Sequence, residues 1–246
     1  MIIAGTDSSG GAGLTRDVAV ASDLGFDVLP VVTAVTVQTD RALLNIHSVP
    51  SDIIRDQIVA AIDSGSVSAI KIGMLGTGQA VDVVVDALAR SEVPIVLDPV
   101  LKSTSGGALM IGLPLTPLFN IASLVTPNLE EAAVLTGSDT ATEFDQISAQ
   151  AAALRRMGAK AVLIKGGHSR DTTCRDHLFE SQGHQVFAGP RLNARKRGTG
   201  CALSTAIACH LGAGLALGGA TGTSVRYVRD WIGLNGGEPS NVVRQN

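Results

Sequence analysis

Aromatic residues are scarce in this sequence. Phe, Trp and Tyr make up 3% of its 246 residues, which is too few for the stacked aromatic platform that binds single-stranded nucleic acid. The formal net charge of −3 is also unlike the basic surface of a general nucleic-acid-binding protein. We therefore predict no nucleic-acid partner.

Cysteine is rare as well, and long apolar runs are missing. The three cysteines, Cys174, Cys201 and Cys209, have no CxxC spacing, so they predict neither a disulfide scaffold nor a zinc site. With no basic-then-apolar leader, this pattern favours a reducing, cytoplasmic setting. No apolar run approaches the roughly 18 residues of a membrane span, so we predict no membrane association.

The common nucleotide-binding motifs GxxxxGK[ST] and GxGxxG are absent. The chain has instead two other glycine-rich turns, at 10–13 (GGAG) and at 198–201 (GTGC). The second runs into an Ala-rich segment that predicts a helix, and the unpaired amides and dipole at a helix N-terminus attract anions. Arg195, Lys196 and Arg197 add positive charge beside it.

Cys201 lies at or near the first turn of this predicted helix, where a thiolate is stabilised. Phosphoryl transfer depends on positioning and charge neutralisation, but the accepting hydroxyl still has to lose a proton. Cys201 is therefore a candidate general base. A second interpretation stays open, in which the glycines form a turn before a core helix and the cysteine is simply buried.

Strands and helices alternate along the chain. Short apolar strands are predicted at 1–4, 28–37, 69–74, 94–97, 124–125 and 161–164, with an outer strand at 186–187, and the strand at 28–37 is expected to be buried on both faces. Helices are predicted at 14–24, 52–64, 79–89, 129–135, 147–157, 198–210 and 218–234. The alternation predicts an α/β fold with a three-layer, doubly wound, mostly parallel sheet and helices on both faces.

The chain shows no internal repeat and no linker. We therefore expect residues 1–246 to form a single domain, with residues 235–246 as a frayed tail.

Polar residues follow several of the predicted strands, where the carboxyl ends of an open α/β sheet meet in one crevice. They are Asp7, Asp17, Gln38, Asp98, Asn128, Glu131 and Lys165. Asn128 and Glu131 are three residues apart at a helix start, so they face the same way. Their oxygens suit a hydrated Mg²⁺, but the same spacing also fits a helix-capping interaction, and both interpretations stay open.

Seven segments, taken in order, resemble a known family. They are 4–13, 33–39, 71–74, 98–100, 126–132, 165–168 and 198–201. Together they are similar to the hydroxymethylpyrimidine/phosphomethylpyrimidine kinases of thiamine biosynthesis, within the ribokinase-like superfamily. The resemblance covers nearly the whole chain. It implies an ATP- and Mg²⁺-dependent kinase that phosphorylates 4-amino-5-hydroxymethyl-2-methylpyrimidine, its monophosphate, or both.

The resemblance also implies roles for individual residues. Cys201 takes the position of the base, and the anion hole is formed by Gly198, Thr199 and Gly200. Gln38 is placed on the polar edge of the pyrimidine, and the remaining ring contacts are Ala12, Asp17, Met74 and Val100. Asp98 and Glu131 are placed at Mg²⁺, and the nucleotide is bordered by Asn128, Lys165, Gly167 and Thr199, together with segment 165–168.

Three departures from the family pattern carry expectations. Ser8 stands where the family usually has proline, so a looser loop is expected there. Lys102 replaces an apolar residue and Arg197 replaces a common histidine. Both add charge that bears on which phosphorylated state of the substrate is preferred.

Two alternatives are kept. A pyridoxal kinase of the same superfamily would act on a similar ring with a hydroxymethyl group. A non-catalytic binder would keep the fold as a ligand sensor, although it would not need phosphate-binding residues. Relatives are commonly dimers, so a homodimer is expected.

Overall fold

A computed structural model of the protein describes residues 1–65, 67–102, 107, 109–110, 112–167, 172–192 and 196–234. Three features named in the sequence analysis fall outside these residues. They are Arg195, the tail at 235–246, and His168 at the end of segment 165–168.

Ten strands are described. They are β1 (Ile2–Ala4), β2 (Pro30–Val32), β3 (Ala34–Gln38), β4 (Leu43–Ser48), β5 (Ile70–Ile72), β6 (Ile95–Leu97), β7 (Leu124–Val125), β8 (Val162–Ile164), β9 (Thr173–Glu180) and β10 (Gly183–Pro190). Eight of them form one sheet in the order β10-β9-β8-β7-β6-β5-β1-β2. All neighbours in it are parallel except β9, which is antiparallel to both β8 and β10. The predicted mostly parallel sheet is therefore confirmed.

Helices cover both faces of this sheet. They are α1 (Gly13–Asp23), α2 (Ser51–Asp63), α3 (Gly78–Leu88), α4 (Thr116–Ile121), α5 (Leu129–Thr136), α6 (Phe144–Arg156), α7 (Thr199–Gly212) and α8 (Leu217–Leu234). Side chains from α2 to α6 share one core cluster, whereas those from α1, α7 and α8 pack in two others. Among the described residues, no helix has the length and apolar character to cross a bilayer.

The alternation of side chains along each strand explains the two cores. In β6, Ile95 and Leu97 belong to the cluster of α2 to α6, while Val96 between them belongs to the cluster of α7 and α8. Successive strand residues point to opposite faces, so a strand covered by helices on both sides must be apolar throughout. This requirement is why the short apolar runs predicted the sheet correctly.

The predicted strand at 28–37 is wrong as one element buried on both faces. The chain leaves the main sheet after β2, and β3 pairs only with β4, in a separate antiparallel sheet. Val35 and Val37 of β3 are 48% and 51% exposed, whereas Ala34, Thr36 and Gln38, which alternate with them, are buried. A run of β-branched residues predicts strand well, but it does not show where the chain moves to another sheet.

Several other elements were not predicted. They are β4, β9 and α4, and β10 is longer than the predicted segment 186–187. The antiparallel pair β9–β10 extends the sheet beyond β8 and provides part of the wall of the site described below.

Two valines of the misassigned segment provide a matched test of this topology. Val31 in β2 is fully buried and Val35 in β3 is about half exposed. We expect Val31→Ala to lower the free energy of unfolding by about 2 kcal/mol, because it removes two buried methyl groups. Val35→Ala should change it by less than about 0.5 kcal/mol. Urea denaturation measures both, and equal losses would contradict the separation of β3 from the main sheet.

Candidate active site

A cavity of about 750 Å³ opens at the carboxyl edge of the main sheet. Apart from Asp17, it is lined by all the residues for which the sequence analysis gave individual roles. Those lining residues are Ala12, Gln38, Met74, Asp98, Val100, Asn128, Glu131, Lys165, Gly167, Gly198, Thr199, Gly200 and Cys201. The structure therefore brings these residues together, and their individual roles stay predictions.

The loop before α7 forms one wall of the cavity. Gly198 caps α7 with a left-handed backbone, at a φ of 73°. A Cβ atom at this position would collide with the carbonyl oxygen of Gly11 in the loop after β1. Glycine is thus required both by the backbone conformation and by the approach of the two loops. The amides of Thr199, Gly200 and Cys201 begin the helix, where intrahelical acceptors are lacking.

Cys201 lines the cavity in the first turn of α7, as predicted, but burial opposes ionisation of its thiol. Burial raises the pKa of Cys201 to about 11, and Asp17 and Asp98 act in the same direction. Lys71 and a backbone hydrogen bond from Gly13 oppose this rise without cancelling it. The expectation of a stabilised thiolate is therefore wrong, because desolvation outweighs the favourable charges.

Asp17 does not face the ring pocket, which corrects the prediction for this residue. It is fully buried in α1, where its carboxylate is 2.6 Å from Lys71 Nζ and accepts a hydrogen bond of 2.8 Å from Thr205 Oγ1. Burial by itself would lower the pKa of Lys71, but the charges of Asp17, Cys201 and Asp98 and the hydrogen bond to Asp17 together outweigh it and keep that pKa above its usual value. Lys71 lines the cavity, so its ammonium group lies in the cavity wall, where Asp17 holds it in place.

The sequence analysis did not assign Lys71 a role. A lysine in the middle of an apolar strand was the available signal, since a buried lysine needs a charged partner. Its partner lies 54 positions away in the chain, so the sequence could not identify the pair.

A second buried ion pair joins Asp98 to Lys165. Lys165 Nζ is 2.8 Å from Asp98 Oδ1, and Thr126 and Ser204 donate longer hydrogen bonds of 3.3 and 3.4 Å to the same carboxylate. Burial would raise the pKa of Asp98, but the charges of Lys165 and Lys71 and the hydrogen bonds from Lys165 and Thr126 together outweigh it and lower that pKa. A Cβ on Gly200 would lie 3.1 Å from Lys165 Nζ, so the ammonium group lies beside the first turn of α7.

Asn128 and Glu131 form the capping box that the sequence left as one of two interpretations. Asn128 Oδ1 accepts from the Glu131 amide, and Glu131 Oε2 accepts from the Asn128 amide, both at 2.8 Å. Burial raises the pKa of Glu131 to about 7. Within the described residues, no group of three or more His, Cys, Asp or Glu side chains is arranged to hold a metal ion. The capping role is confirmed, and a Mg²⁺ role stays a prediction.

The basic residues next to the glycine turn have specific partners. Lys196 donates to the Trp231 carbonyl and lies 4.2 Å from the centroid of the Trp231 ring. Arg197 pairs with Asp7 at 3.2 Å and with Asp40 at 3.1 Å. Their charges are therefore shared with these partners, so the free positive charge expected beside the anion loop is reduced. Lys102 is exposed and also lines the cavity.

Gln38, which was predicted to bind the ring, lines the same cavity as the loop before α7. It is buried at the end of β3, and its backbone N–H and C=O both bond to Ser8 Oγ at 2.8 Å. The loop that was expected to be looser at Ser8 is thus fastened to β3 by this hydroxyl. Ala12, Met74 and Val100 supply small and apolar surface in the same cavity.

The cavity also has an apolar region that the sequence did not predict. It is formed by Leu192, Leu203, Val225, Val228 and Ile232. Its residues come from α7, α8 and the chain after β10. Because β9 was not recognised as a strand, Asp176 was missed too, although it is buried and accepts a hydrogen bond of 2.9 Å from the Gly166 amide.

The fold and the cavity define a class of protein. A volume of about 750 Å³ is in the range of sites that bury a small ligand. Helix-terminal amides and buried lysines beside it are suited to phosphate groups. With the doubly wound sheet, these features define a small-molecule phosphotransferase with a ribokinase-like fold.

Comparison with known proteins gives the family. Residues 7–241 match the family model described as phosphomethylpyrimidine kinase, and this chain belongs to that family. A hydroxymethylpyrimidine/phosphomethylpyrimidine kinase of Rhizobium meliloti is 37% identical over 231 residues, which are 92% of this chain and 87% of the relative. A kinase of the same description from Streptomyces coelicolor is 36% identical over 94% of this chain and 86% of its own length.

Solved structures share the fold. The phosphomethylpyrimidine kinase of Clostridium difficile aligns with a TM-score of 0.79 at 30% identity, over 94% of this chain and 97% of that one. The pyridoxal kinase of Staphylococcus aureus in complex with AMP-PCP aligns with a TM-score of 0.86 at 25% identity, over 98% and 89%. Because the family consists of kinases, the chain is a phosphotransferase, and the alternative of a non-catalytic binder is not supported.

Two glycines with the same backbone conformation test the role of the α7 loop. Both Gly198→Ala and Gly214→Ala place a side chain at a left-handed φ, which costs about 1–2 kcal/mol. Only at Gly198 does the new Cβ also meet another loop, since nothing lies within 4 Å of the position at Gly214. We expect a loss of ATP-dependent phosphoryl transfer of at least about 100-fold in Gly198→Ala, and little change in Gly214→Ala. Equal activities in the two variants would contradict the proposed loop contact.

The pKa of Cys201 predicts its reactivity. With a value of about 11, the thiolate fraction rises about tenfold for each unit of pH between 7 and 10. Alkylation of Cys201 by iodoacetamide, followed by mass spectrometry of the peptide that contains it, should rise in the same proportion. Glutathione in the same tubes is the reference for an ordinary thiol. A rate for Cys201 that levels off below pH 8 would show an activated thiol instead.

Proposed function

We propose that this protein transfers the γ-phosphoryl group of ATP to the hydroxymethyl group of 4-amino-5-hydroxymethyl-2-methylpyrimidine, to its monophosphate, or to both, in thiamine biosynthesis. One observation carries the proposal. The amide of Gln38 and the glycine loop at 198–201 line a single cavity, so a flat ring and a phosphate group can be bound at the same time.

The ring is placed against Gln38. A Gln amide has one acceptor and two donors in one plane, and an aminopyrimidine edge needs both kinds of partner. Ala12, Met74 and Val100 would contact the faces and the methyl group of the ring. The hydroxymethyl group then points toward Cys201.

The phosphate groups are placed at the first turn of α7. The amides of Thr199 and Gly200 would hold their oxygens, and Lys165 lies beside them. The hydroxymethyl oxygen attacks the γ-phosphorus of ATP, and the bond from that phosphorus to the ADP oxygen breaks. The hydroxyl proton goes to Sγ of Cys201 in the molecules whose thiol is ionised, a fraction that a pKa of about 11 makes small at neutral pH. In a loose transition state the strength of the base matters little, whereas the charges around the transferred phosphoryl group matter more. The ammonium groups of Lys71 and Lys165 would therefore supply most of the stabilisation of this transition state.

ATP and Mg²⁺ fit the remaining residues of the cavity. The apolar region formed by Leu203, Val225 and Ile232 suits a purine, with Asn128 and Gly167 beside the nucleotide. Mg²⁺ would be held by Asp98 and Glu131 through oxygen ligands and would neutralise phosphate charge. This donor set fits an ion that keeps several of its waters and takes few protein ligands.

Pyridoxal phosphorylation is a second candidate. The specific observation in its favour is the TM-score of 0.85 to the Staphylococcus aureus pyridoxal kinase in complex with pyridoxal, at 26% identity. Competition between the pyrimidine and pyridoxal in one assay ranks the two substrates by kcat/KM.

We also propose that residues 1–246 form a single kinase domain that acts as a homodimer in the cytoplasm. Sedimentation of the purified protein tests the dimer.

The role of Cys201 is tested by substitution. We expect Cys201→Ala to lower kcat for the pyrimidine by about 10²–10⁴-fold, because it removes the proton acceptor while leaving the ring contacts in place. KM for the pyrimidine should change by less than about threefold. Steady-state kinetics with ATP and each pyrimidine substrate measure both constants.

Cys209→Ala is the matched control, since Cys209 lies in the same helix but packs against α1. It should retain wild-type kcat. A Cys201→Ala enzyme with unchanged kcat would remove Cys201 from catalysis, and a wild-type protein that phosphorylates neither pyrimidine would refute the proposed function.

A further inference from the structure

Arg197 is a cation of the cavity wall to which the proposed function gives no role. It precedes Gly198 in the loop before α7 and lines the cavity. Its Nη1 donates to the carbonyl oxygen of Thr39 at 3.4 Å and lies 3.1 Å from Asp40 Oδ1, and these two residues directly follow Gln38. The guanidinium group therefore lies between the strand end predicted to bind the ring and the loop predicted to bind phosphate.

One side of this guanidinium group is held by a buried carboxylate. Nη2 of Arg197 is 3.2 Å from Asp7 Oδ2, and the side chain of Asp7 is only 3% exposed. Asp7 Oδ1 accepts from the amide of Ser9 at 2.9 Å and from Ser9 Oγ at 2.7 Å. Nη1 of Arg197 donates to the same hydroxyl oxygen at 2.5 Å. Because a buried carboxylate is costly to leave without partners, Asp7 fixes the place of Arg197.

The other carboxylate partner of Arg197 is free to leave. The side chain of Asp40 is 76% exposed, whereas that of Arg197 is 16% exposed. An exposed ion pair contributes little free energy, because water solvates the released carboxylate at small cost. An anionic ligand can therefore take the place of Asp40, although it cannot take the place of Asp7.

The present partners also leave part of the guanidinium group unused. Nε of Arg197 is buried and has no hydrogen-bond partner among the residues that the structure describes. Arginine has five N–H donors in a planar fork, and this fork matches the oxygens of a phosphate group. A ligand with several acceptor oxygens would use more of these donors than Asp40 does.

The two pyrimidine substrates of the proposed function differ in charge at this place. The alcohol has a neutral hydroxymethyl group between the ring and the phosphate loop. The monophosphate has a negatively charged phosphate group there, and this group must approach the γ-phosphoryl group of ATP. Like charges repel more strongly as they come closer. Phosphorylation of the monophosphate therefore needs a cation that phosphorylation of the alcohol does not need.

We propose that Arg197 binds the phosphate group of the phosphorylated pyrimidine, and that this phosphate group displaces Asp40. The inference rests on the proposed function, since it concerns the choice between the two substrates of that reaction. Asp40 balances the charge of Arg197 in the free protein and turns toward water when the monophosphate binds. Arg197 thus sets the preference for the monophosphate over the alcohol, and Asp40 weakens this preference by competing for the same cation.

The first test is Arg197→Gln, assayed with ATP and each of the two pyrimidine substrates. We expect the ratio of kcat/KM for the monophosphate over kcat/KM for the alcohol to fall at least about tenfold, because charge-assisted hydrogen bonds to the phosphate are lost. Most of the change should be in KM for the monophosphate. Partial unfolding would lower both values of kcat/KM equally, so it would not alter the ratio.

The second test is Asp40→Asn, which leaves the buried pair of Asp7 and Arg197 in place. Removal of the competing charge should raise the same ratio by about two- to fivefold. In the double variant Arg197→Gln/Asp40→Asn, the ratio should equal that of Arg197→Gln, because Asp40 acts through Arg197. If Asp40 instead repels the phosphate directly, the rise will persist in the double variant.

Arg41→Gln is the matched control for loss of a positive charge nearby. Arg41 follows Asp40 in the chain, is exposed, and lies outside the described lining of the cavity. Its substitution should leave the ratio at the wild-type value. An equal fall of the ratio in Arg41→Gln and Arg197→Gln would assign the effect to the general charge of this region and would overturn the inference.

The remaining outcomes separate the inference from the proposed function. Calorimetric titration with each pyrimidine, in the absence of ATP, measures binding independently of turnover. A wild-type protein that phosphorylates the alcohol, with an unchanged ratio in Arg197→Gln or Asp40→Asn, would overturn the inference and leave the proposed function intact. The same holds for a protein that phosphorylates the alcohol and does not bind the monophosphate. A protein that phosphorylates neither pyrimidine would refute the function, and the inference with it.

Discussion

The contact between two glycine loops is the constraint on which the site depends. Gly198 approaches the carbonyl oxygen of Gly11 so closely that no side chain fits between them. The loop after β1 carries Asp7 and Ala12, and the loop before α7 carries the helix-terminal amides. Close packing of their backbones therefore brings the residues predicted to contact the ring and those predicted to contact phosphate into one cavity. Neither loop alone carries both sets of residues.

Two buried ion pairs lie beneath these loops. The pairs Lys71–Asp17 and Lys165–Asp98 hold two ammonium groups in fixed positions in the cavity wall, with N···O distances of 2.6 and 2.8 Å. Replacing a buried pair by apolar residues is often neutral or stabilising, so such pairs are weak evidence for stability. Their location at the cavity indicates a functional reason for keeping them, since fixed charges need no reorganisation when phosphate binds.

The sequence predicted the main architecture because local patterns of residues determine most of its strands and helices. Apolar runs identified the parallel strands, and the spacing of Asn128 and Glu131 matched the capping box. Local patterns failed to predict the structure where contacts between distant parts of the chain determine it. The chain leaves the sheet between Val32 and Ala34 without a change in composition, and β9 contains polar residues because one of its faces borders the cavity.

The site was predictable to a similar degree. The order of the motifs along the sequence identified the cavity residues. The partner of a buried charged residue, however, lies far away in the chain, so no local pattern identifies it. Thus Asp17 was placed in the ring pocket when its true partner is Lys71. The state of Cys201 was misjudged for a related reason, since helix position is visible in a sequence and desolvation is not.

The separate sheet formed by β3 and β4 has a consequence for motion. Gln38 belongs to a strand with a single neighbour, and its outward residues Val35 and Val37 are about half exposed. Regions with few buried contacts open at lower free energy than the global transition. The wall of the cavity that carries Gln38 should therefore exchange its amide protons by local opening more readily than the eight-stranded sheet does.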